Sequence, residues 1–166
     1  MFHYPHNHVE IRDAVAKLCT DFDGKYWRAC DADRAYPSAF VTALTEAGYL
    51  SALIPEEYGG LSLPISAGAA ILEEIHRSGG NAAACHAQMY TMGTVLRHGS
   101  DAQKQQYLPS IADGSLRLQA FGVTEPTSGT DTTALRTTAR RDGDDYVVNG
   151  QKVWTSRAEY SDLMLL

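Results

Sequence analysis

The sequence predicts an α+β chain in which an all-α N-terminal domain is followed by the beginning of an antiparallel β-domain. Up to about Leu116, apolar residues recur at three- and four-residue steps, which is the period of an amphipathic helix. After Leu116 the period becomes two, with apolar and polar residues alternating over residues 135–140. We therefore place a helical domain at residues 1–118 and the first part of a β-domain at residues 119–166.

Composition and charge are those of an ordinary globular chain of one domain's length. The 166 residues are 44% hydrophobic and 20% charged, which permits a real core. A formal charge of -6 with no basic run argues against a nucleic acid or an anionic membrane as partner. The N-terminus has no signal-peptide pattern, and no apolar stretch approaches a membrane span. A cytoplasmic protein is expected.

The cysteines and the N-terminal histidines do not predict a metal site. Cys19, Cys30 and Cys85 match no zinc motif and are too few for a disulfide framework, so we expect reduced, buried thiols. The three histidines near the N-terminus lack partners to complete a coordination sphere, which favours a frayed polar leader. These histidines are His3, His6 and His8.

Five helices are predicted before the change of period. The first runs from Val9 to about Ala29, and the second from about Pro37 to Gly48. Two more cover residues 65–76 and 82–98. A fifth opens at a capping box formed by Ser100 and Gln103.

Two turn signals organise the predicted β-domain. Gly143, within an Asp-Gly-Asp run, ends the first strand. Asn149 and Gly150 form the pair that favours a two-residue hairpin turn, which here would join residues 146–148 to residues 152–154.

Polar chemistry concentrates in the stretch from Phe121 to Asp131. Thr124 and Thr130 flank a Glu-Pro turn, and Gly129 lets the backbone approach a bulky group closely. Backbone N–H groups and hydroxyls converging from such a turn can bind a pyrophosphate or the polar edge of a heterocycle. A plain connector is the alternative interpretation. The predicted hairpin would bring a flat aromatic and two hydroxyls, at residues 154–156, to the same place.

These two segments, together with Leu-Ile-Pro-Glu-Glu-Tyr-Gly-Gly at residues 53–60, resemble the acyl-CoA dehydrogenase family of flavoproteins. The resemblance runs from about Ile11 to the last residue, through the segments at 71–75, 98–100 and 106–109. It implies three parts: an N-terminal helical domain, a middle β-domain and a C-terminal helical bundle. The end of the β-domain and the whole bundle are expected to lie outside these residues.

The resemblance also implies a function, which is FAD-dependent α,β-dehydrogenation of an acyl-CoA thioester. An electron-transfer flavoprotein would accept the electrons, and the complete protein would be a homo-oligomer. The residues implied to contact FAD are Phe121, Val123, Thr124, Gly129, Thr130, Trp154, Thr155 and Ser156. Thr130 would also touch the substrate.

Two methionines and one glutamate are the remaining candidates for a role at the substrate. Met89 and Met92 either pack in the core or line a slot for a flexible acyl chain. Glu125 is not expected to be the base, because the resemblance assigns proton removal to a glutamate of the C-terminal bundle. No catalytic residue is therefore expected in this chain, which should be inactive alone. A same-fold flavin oxidase or monooxygenase and a non-catalytic binding fragment remain as alternatives.

Overall fold

A computed structural model describes residues 7–166 and shows helices followed by a short β region. No strand precedes Ala120 within those residues, so the predicted helical domain followed by strands is confirmed. Single 3-10 turns at Tyr49–Ser51 and Glu56–Tyr58 occupy part of the connection after the third helix. The helices are α1 (Val9–Cys19), α2 (Gly24–Ala32), α3 (Ser38–Glu46), α4 (Ile65–Arg77), α5 (Ala83–His98) and α6 (Asp101–Ala112).

The first predicted helix is in fact two helices. The Asp23 side chain accepts hydrogen bonds from the backbone N–H groups of Lys25 (2.8 Å) and Tyr26 (3.1 Å) and so caps the start of α2. The prediction of one helix to Ala29 was wrong because the apolar spacing continues across the break. The Ser100 capping box is confirmed, with bonds of 3.2 Å and 2.9 Å to Gln103.

Two apolar clusters hold the helices together. The larger one joins α1, α3, α4 and α5 through fully buried side chains such as Val15, Leu44 and Ile71. The smaller one lies between α5, α6 and the start of the β region. Its buried members are Ile54, Met92, Leu108, Ile111 and Leu118.

All three thiols are free, as predicted. Cys19 and Cys85 are buried, and burial raises the pKa of the Cys85 thiol to about 12. Cys30 is only partly buried, so the prediction that all three thiols are buried was wrong for this residue.

A chain of buried amides attaches the β region to the helices. The Tyr36 hydroxyl donates to Gln119 Oε1 (2.7 Å), and Gln119 Nε2 donates to Gln88 Oε1 (3.3 Å). Gln88 Nε2 in turn donates to the Leu50 carbonyl oxygen (3.4 Å). Because buried polar groups are costly unless they are paired, this chain fixes the first strand against α5.

The β region contains two separate two-stranded sheets. Strands β2 (Thr138–Asp142) and β3 (Asp145–Asn149) are antiparallel and turn at Gly143, whose φ is 63°. Strands β1 (Ala120–Phe121) and β4 (Met164–Leu165) are parallel. The prediction of antiparallel pairing throughout was therefore wrong for this second pair. Alternating residues reveal a strand but not its direction, and a long connection allows parallel pairing.

The predicted hairpin at Asn149 and Gly150 does not form. The chain after β3 runs as irregular backbone, and β3 pairs only with β2. Gly150 instead passes close to Thr137, since a Cβ at Gly150 would lie 2.2 Å from Thr137 Oγ1. The glycine serves a close approach and not a turn with positive φ. Both faces of β2 are exposed, where a half-exposed strand was predicted.

Neither a membrane helix nor a metal cluster occurs in residues 7–166. None of the helices there is both long enough and apolar enough to cross a membrane. No group of three or more His, Cys, Asp or Glu side chains could hold a metal ion in that part of the chain. His8 Nε2 lies 2.9 Å from Ser66 Oγ, whereas His3 and His6 lie outside the described residues.

Candidate functional site

The two polar segments singled out by the sequence lie side by side. The backbone N–H of Val153 donates to the Thr124 carbonyl oxygen at 2.9 Å. Lys152 Nζ donates to the Val123 carbonyl oxygen at 3.0 Å. The residues predicted to act together therefore do meet, although the hairpin that was expected to deliver them is absent.

The buried carboxylate of Glu125 stabilises this arrangement through hydrogen bonds. The residue is 4% exposed, and its Oε2 accepts the backbone N–H of Arg136 at 2.6 Å. Its Oε1 accepts both the backbone N–H of Thr137 (2.9 Å) and Lys152 Nζ (2.9 Å). The prediction that Glu125 accepts backbone N–H bonds is confirmed. One carboxylate thus joins three segments that are separate in sequence.

The same contacts suit Glu125 poorly to be a general base. Hydrogen bonds from Thr137, the Arg136 N–H and Lys152 lower the pKa of Glu125 to about 2. A general base works best when its pKa lies near the operating pH. The ionised carboxylate of Glu125 therefore has a structural role, which is to accept hydrogen bonds from neighbouring segments.

The loop around Glu125 closes on itself. Glu125 and Ser128 exchange backbone hydrogen bonds of 2.8 Å and 3.2 Å, and the Ser128 hydroxyl donates to the Asp131 carbonyl oxygen. A Cβ at Gly129 would lie 3.9 Å from Thr124 Cγ2, so Gly129 and Thr124 are neighbours on this loop. The predicted donors are held on one small turn.

None of the eight residues implied to contact FAD is buried. Val123, Thr124 and Thr155 are half-buried, and the other five are exposed. Trp154 is the extreme case, because it is 88% exposed and has a left-handed backbone with φ of 63°. The hydroxyls and the aromatic plate of these loops therefore face the surface and not the core. This donor set fits a flavin nucleotide.

Both methionines are buried, Met89 in the larger apolar cluster and Met92 in the smaller one, and Met89 also borders a groove. Met92 is fully buried in the cluster formed with Ile54 and Leu108, which favours core packing. Met89 borders a surface groove of about 220 Å³ between α4 and α5. A substrate role for Met89 stays a prediction.

The sequence analysis missed two residues of α5 that lie beside this groove, His86 and Tyr90. With Ala83 they form a stripe at helical spacing that is not buried, here named the α5 stripe. The Tyr90 ring centroid is 5.8 Å from that of Phe121, so the stripe reaches the candidate loop. The signal was present as polar and aromatic residues that interrupt an otherwise apolar helix.

Comparison with known proteins now adds to this geometry. The model of the acyl-CoA dehydrogenase N-terminal domain matches residues 5–115, and that of the acyl-CoA dehydrogenase middle domain matches residues 120–166. The chain belongs to the acyl-CoA dehydrogenase family. The six helices and the short β region of residues 7–166 are those of the family's N-terminal helical and middle β domains.

Individual relatives agree with this assignment. The chain is 32% identical to the acyl-CoA dehydrogenase FadE12 of Mycobacterium tuberculosis over 157 residues, 94% of this chain and 40% of the relative. The crystal structure of an acyl-CoA dehydrogenase from Geobacillus kaustophilus matches with a TM-score of 0.85 and 28% identity, over 98% of this chain and 43% of that one. An acyl-CoA dehydrogenase from Bacillus anthracis complexed with FAD matches with a TM-score of 0.78 and 27% identity, over 98% and 28%. The chain thus spans less than half the length of these relatives.

The depressed pKa of Glu125 generates a prediction about pH. A carboxyl group whose pKa is lower in the folded than in the unfolded state stabilises the fold above its ordinary pKa of about 4.3. That contribution disappears as the pH falls from about 4 towards 2. An NMR titration of the Glu125 side-chain carboxyl carbon should therefore give a pKa of about 2. A midpoint between 4 and 5 would contradict the hydrogen bonds that Glu125 accepts from Arg136, Thr137 and Lys152, which we name the Glu125 clamp.

Matched variants sharpen this test. Glu125→Gln keeps the shape of the side chain but removes its charge, so it should abolish the acid-dependent loss of order at the Arg136 and Thr137 amides. It should also lower their protection from exchange at neutral pH. The control Glu57→Gln changes an exposed carboxylate remote from the loop and should leave those amides unchanged.

Proposed function

We propose that residues 1–118 and 119–166 form the N-terminal helical domain and the first part of the middle β-domain of an FAD-dependent acyl-CoA dehydrogenase. Its reaction would be α,β-dehydrogenation of an acyl-CoA thioester. The observation that carries the proposal is the junction of the two polar loops through Val153 and Thr124, clamped by Glu125 and Lys152. Family membership supports it.

The proposal gives each loop a part in holding FAD. Phe121, Val123 and Thr124 would contact the ring system. Gly129 and Thr130 would lie towards the ribityl phosphate and the thioester. Residues 154–156 would close over the ring with one aromatic face and two hydroxyls. Bound FAD supplies the hydride acceptor that no side chain provides. The chain's own residues orient it and exclude water.

The α5 stripe is the proposed path of the acyl chain. It starts at the Tyr90 and Phe121 contact, beside the loop proposed to hold the flavin. Met89 borders the adjoining groove with a flexible side chain that adapts to an irregular hydrocarbon. Thr130 would approach the thioester from the loop.

The partners of the complete protein form part of the proposal as well. We propose an acyl-CoA thioester as substrate, an electron-transfer flavoprotein as electron acceptor and a cytoplasmic homo-oligomer. Family membership supports the first of these directly. Light scattering of the complete protein would check the oligomeric state.

Trp154 provides the first test of flavin binding. Because the side chain is almost fully exposed, Trp154→Ala should change the free energy of unfolding by no more than about 0.5 kcal/mol. Stacking on a flavin ring contributes on the order of 1 kcal/mol, so FAD affinity should fall by roughly fivefold or more. The measurement is FAD retention and the visible flavin spectrum of the complete protein. The control Tyr146→Ala removes another exposed aromatic, on β3, and should leave FAD retention unchanged. Full retention in Trp154→Ala would contradict the assignment.

Turnover provides the second test. The 166 residues, supplied with FAD, saturated acyl-CoA thioesters and an artificial electron acceptor, should reduce the acceptor no faster than free FAD does. Absence of a positioned base typically costs roughly 10²–10⁴ in rate. The complete protein should reduce the acceptor at an enzyme-like rate.

Other outcomes would change the proposal. An enzyme-like rate from the 166 residues would place a base among them and would return attention to Glu125. Reoxidation of the reduced complete protein by air would indicate an oxidase or monooxygenase. A complete protein without flavin would support a non-catalytic binding role.

A further inference from the structure

A second cleft, of about 250 Å³, lies at the N-terminal end of α5. It is bounded by the connection between α2 and α3, by the first residues of α5 and by the segment that follows Trp154. Its polar lining consists of Arg34, Tyr36, Asn81, Arg157 and Tyr160. We name it the arginine cleft.

The two arginines of this cleft have no salt-bridge partner among residues 7–166. Neither Arg34 nor Arg157 forms an ion pair there, and the buried Nε of Arg157 has no hydrogen-bond partner in that part of the chain. Both residues have left-handed backbones, with φ of 52° and 60°. Such backbone conformations are costly for residues other than glycine and cluster at ligand sites. In a chain of net charge -6, a pair of unmatched guanidinium groups is a local exception.

Two stacked tyrosine rings and further charged side chains lie in or beside the arginine cleft. The rings of Tyr36 and Tyr160 stack at 4.5 Å with an interplanar angle of 15°, forming a flat wall. Burial raises the pKa of Tyr36, while the nearby charges of Arg117 and Arg157 act to lower it. The Nη1 atom of Arg117 is also buried without a hydrogen-bond partner in residues 7–166. Asp31 is the acidic residue of the adjoining recess, on the other side of Arg34.

The arginine cleft lies at the far end of the α5 stripe. Ala83 belongs to both features, and the stripe continues through His86 to Tyr90. Seven residues of helix separate Ala83 from Tyr90, which corresponds to about 10 Å. An acyl chain that starts beside Phe121 and follows the α5 stripe towards Ala83 therefore reaches two arginines that have no salt-bridge partner in residues 7–166.

We infer that the arginine cleft binds a carboxylate at the far end of the acyl chain, so that the substrate is a thioester of a dicarboxylic acid. This inference rests on the proposed function for the acyl path. A guanidinium group binds a carboxylate through two parallel charge-assisted hydrogen bonds, and the partly enclosed position strengthens them. An uncharged acyl end would leave the buried Arg157 Nε without an acceptor, which is unfavourable.

Binding of small esters to the 166-residue chain tests this inference without flavin. Monomethyl adipate carries one ester, in place of the thioester, and one carboxylate, whereas methyl hexanoate carries the ester alone. Monomethyl adipate should shift the NMR signals of the Arg157 Nε–H and the Ala83 amide in a saturable manner. Arg157→Met and Arg34→Met should each weaken this binding by at least about tenfold. Arg157→Lys should retain part of it.

The control Arg140→Met removes an exposed arginine of β2 and should leave the binding unchanged. Equal binding of methyl hexanoate, or undiminished binding in both Met variants, would overturn the inference. Inorganic phosphate binding as tightly as monomethyl adipate would also overturn it, by showing a general anion site. If Arg157→Met does not fold, the exposed Arg34 variant decides the result. FAD retention is measured separately, so its failure would count against the proposed function and not against the cleft.

Discussion

The carboxylate of Glu125 is the interaction on which the candidate site depends. It joins the loop that begins at Phe121 to the approach of β2 and to Lys152, with contacts of 2.6 to 2.9 Å. The partners lie at residues 136–137 and at residue 152, so local sequence preferences alone do not bring them to Glu125. Lys152 has a side chain only 11% exposed, and it would be left as a buried charge without this partner. The clamp therefore fixes where Trp154 stands relative to Thr124.

Hydrogen bonds to the helical domain fix the start of the loop that carries Glu125. Gln119 begins the β region and is held by Tyr36 and Gln88, which belong to the helical part of the chain. Thr91 on α5 also donates to the Leu118 carbonyl oxygen. The loop thus begins at a fixed position against the side of α5, and this position brings Phe121 beside Tyr90. Helix α5 consequently borders both the loop proposed to hold FAD and, at its first turn, the arginine cleft.

The sequence predicted what is local and missed what depends on distant contacts. Helical periodicity located α3 to α6 well because each turn is determined by its own residues, and only the cap at Asp23 was overlooked. Gly150 was interpreted as a turn residue because its close approach to Thr137 is a tertiary contact. The parallel pairing of β1 with β4 and the cleft lined by both Arg34 and Arg157 involve residues far apart in sequence. The polar loops were recognised from their residues, but the clamp that aligns them became visible only in the structure.

The central claim is that the clamped loops form one face for FAD. Hydrogen exchange of the complete protein, measured with and without FAD, tests it most directly because it reports each backbone segment separately. The account predicts that FAD protects the amides of residues 121–130 and 152–156 together, while those of α1 to α4 stay unchanged. Protection of only one of the two segments, or of neither, would contradict the account.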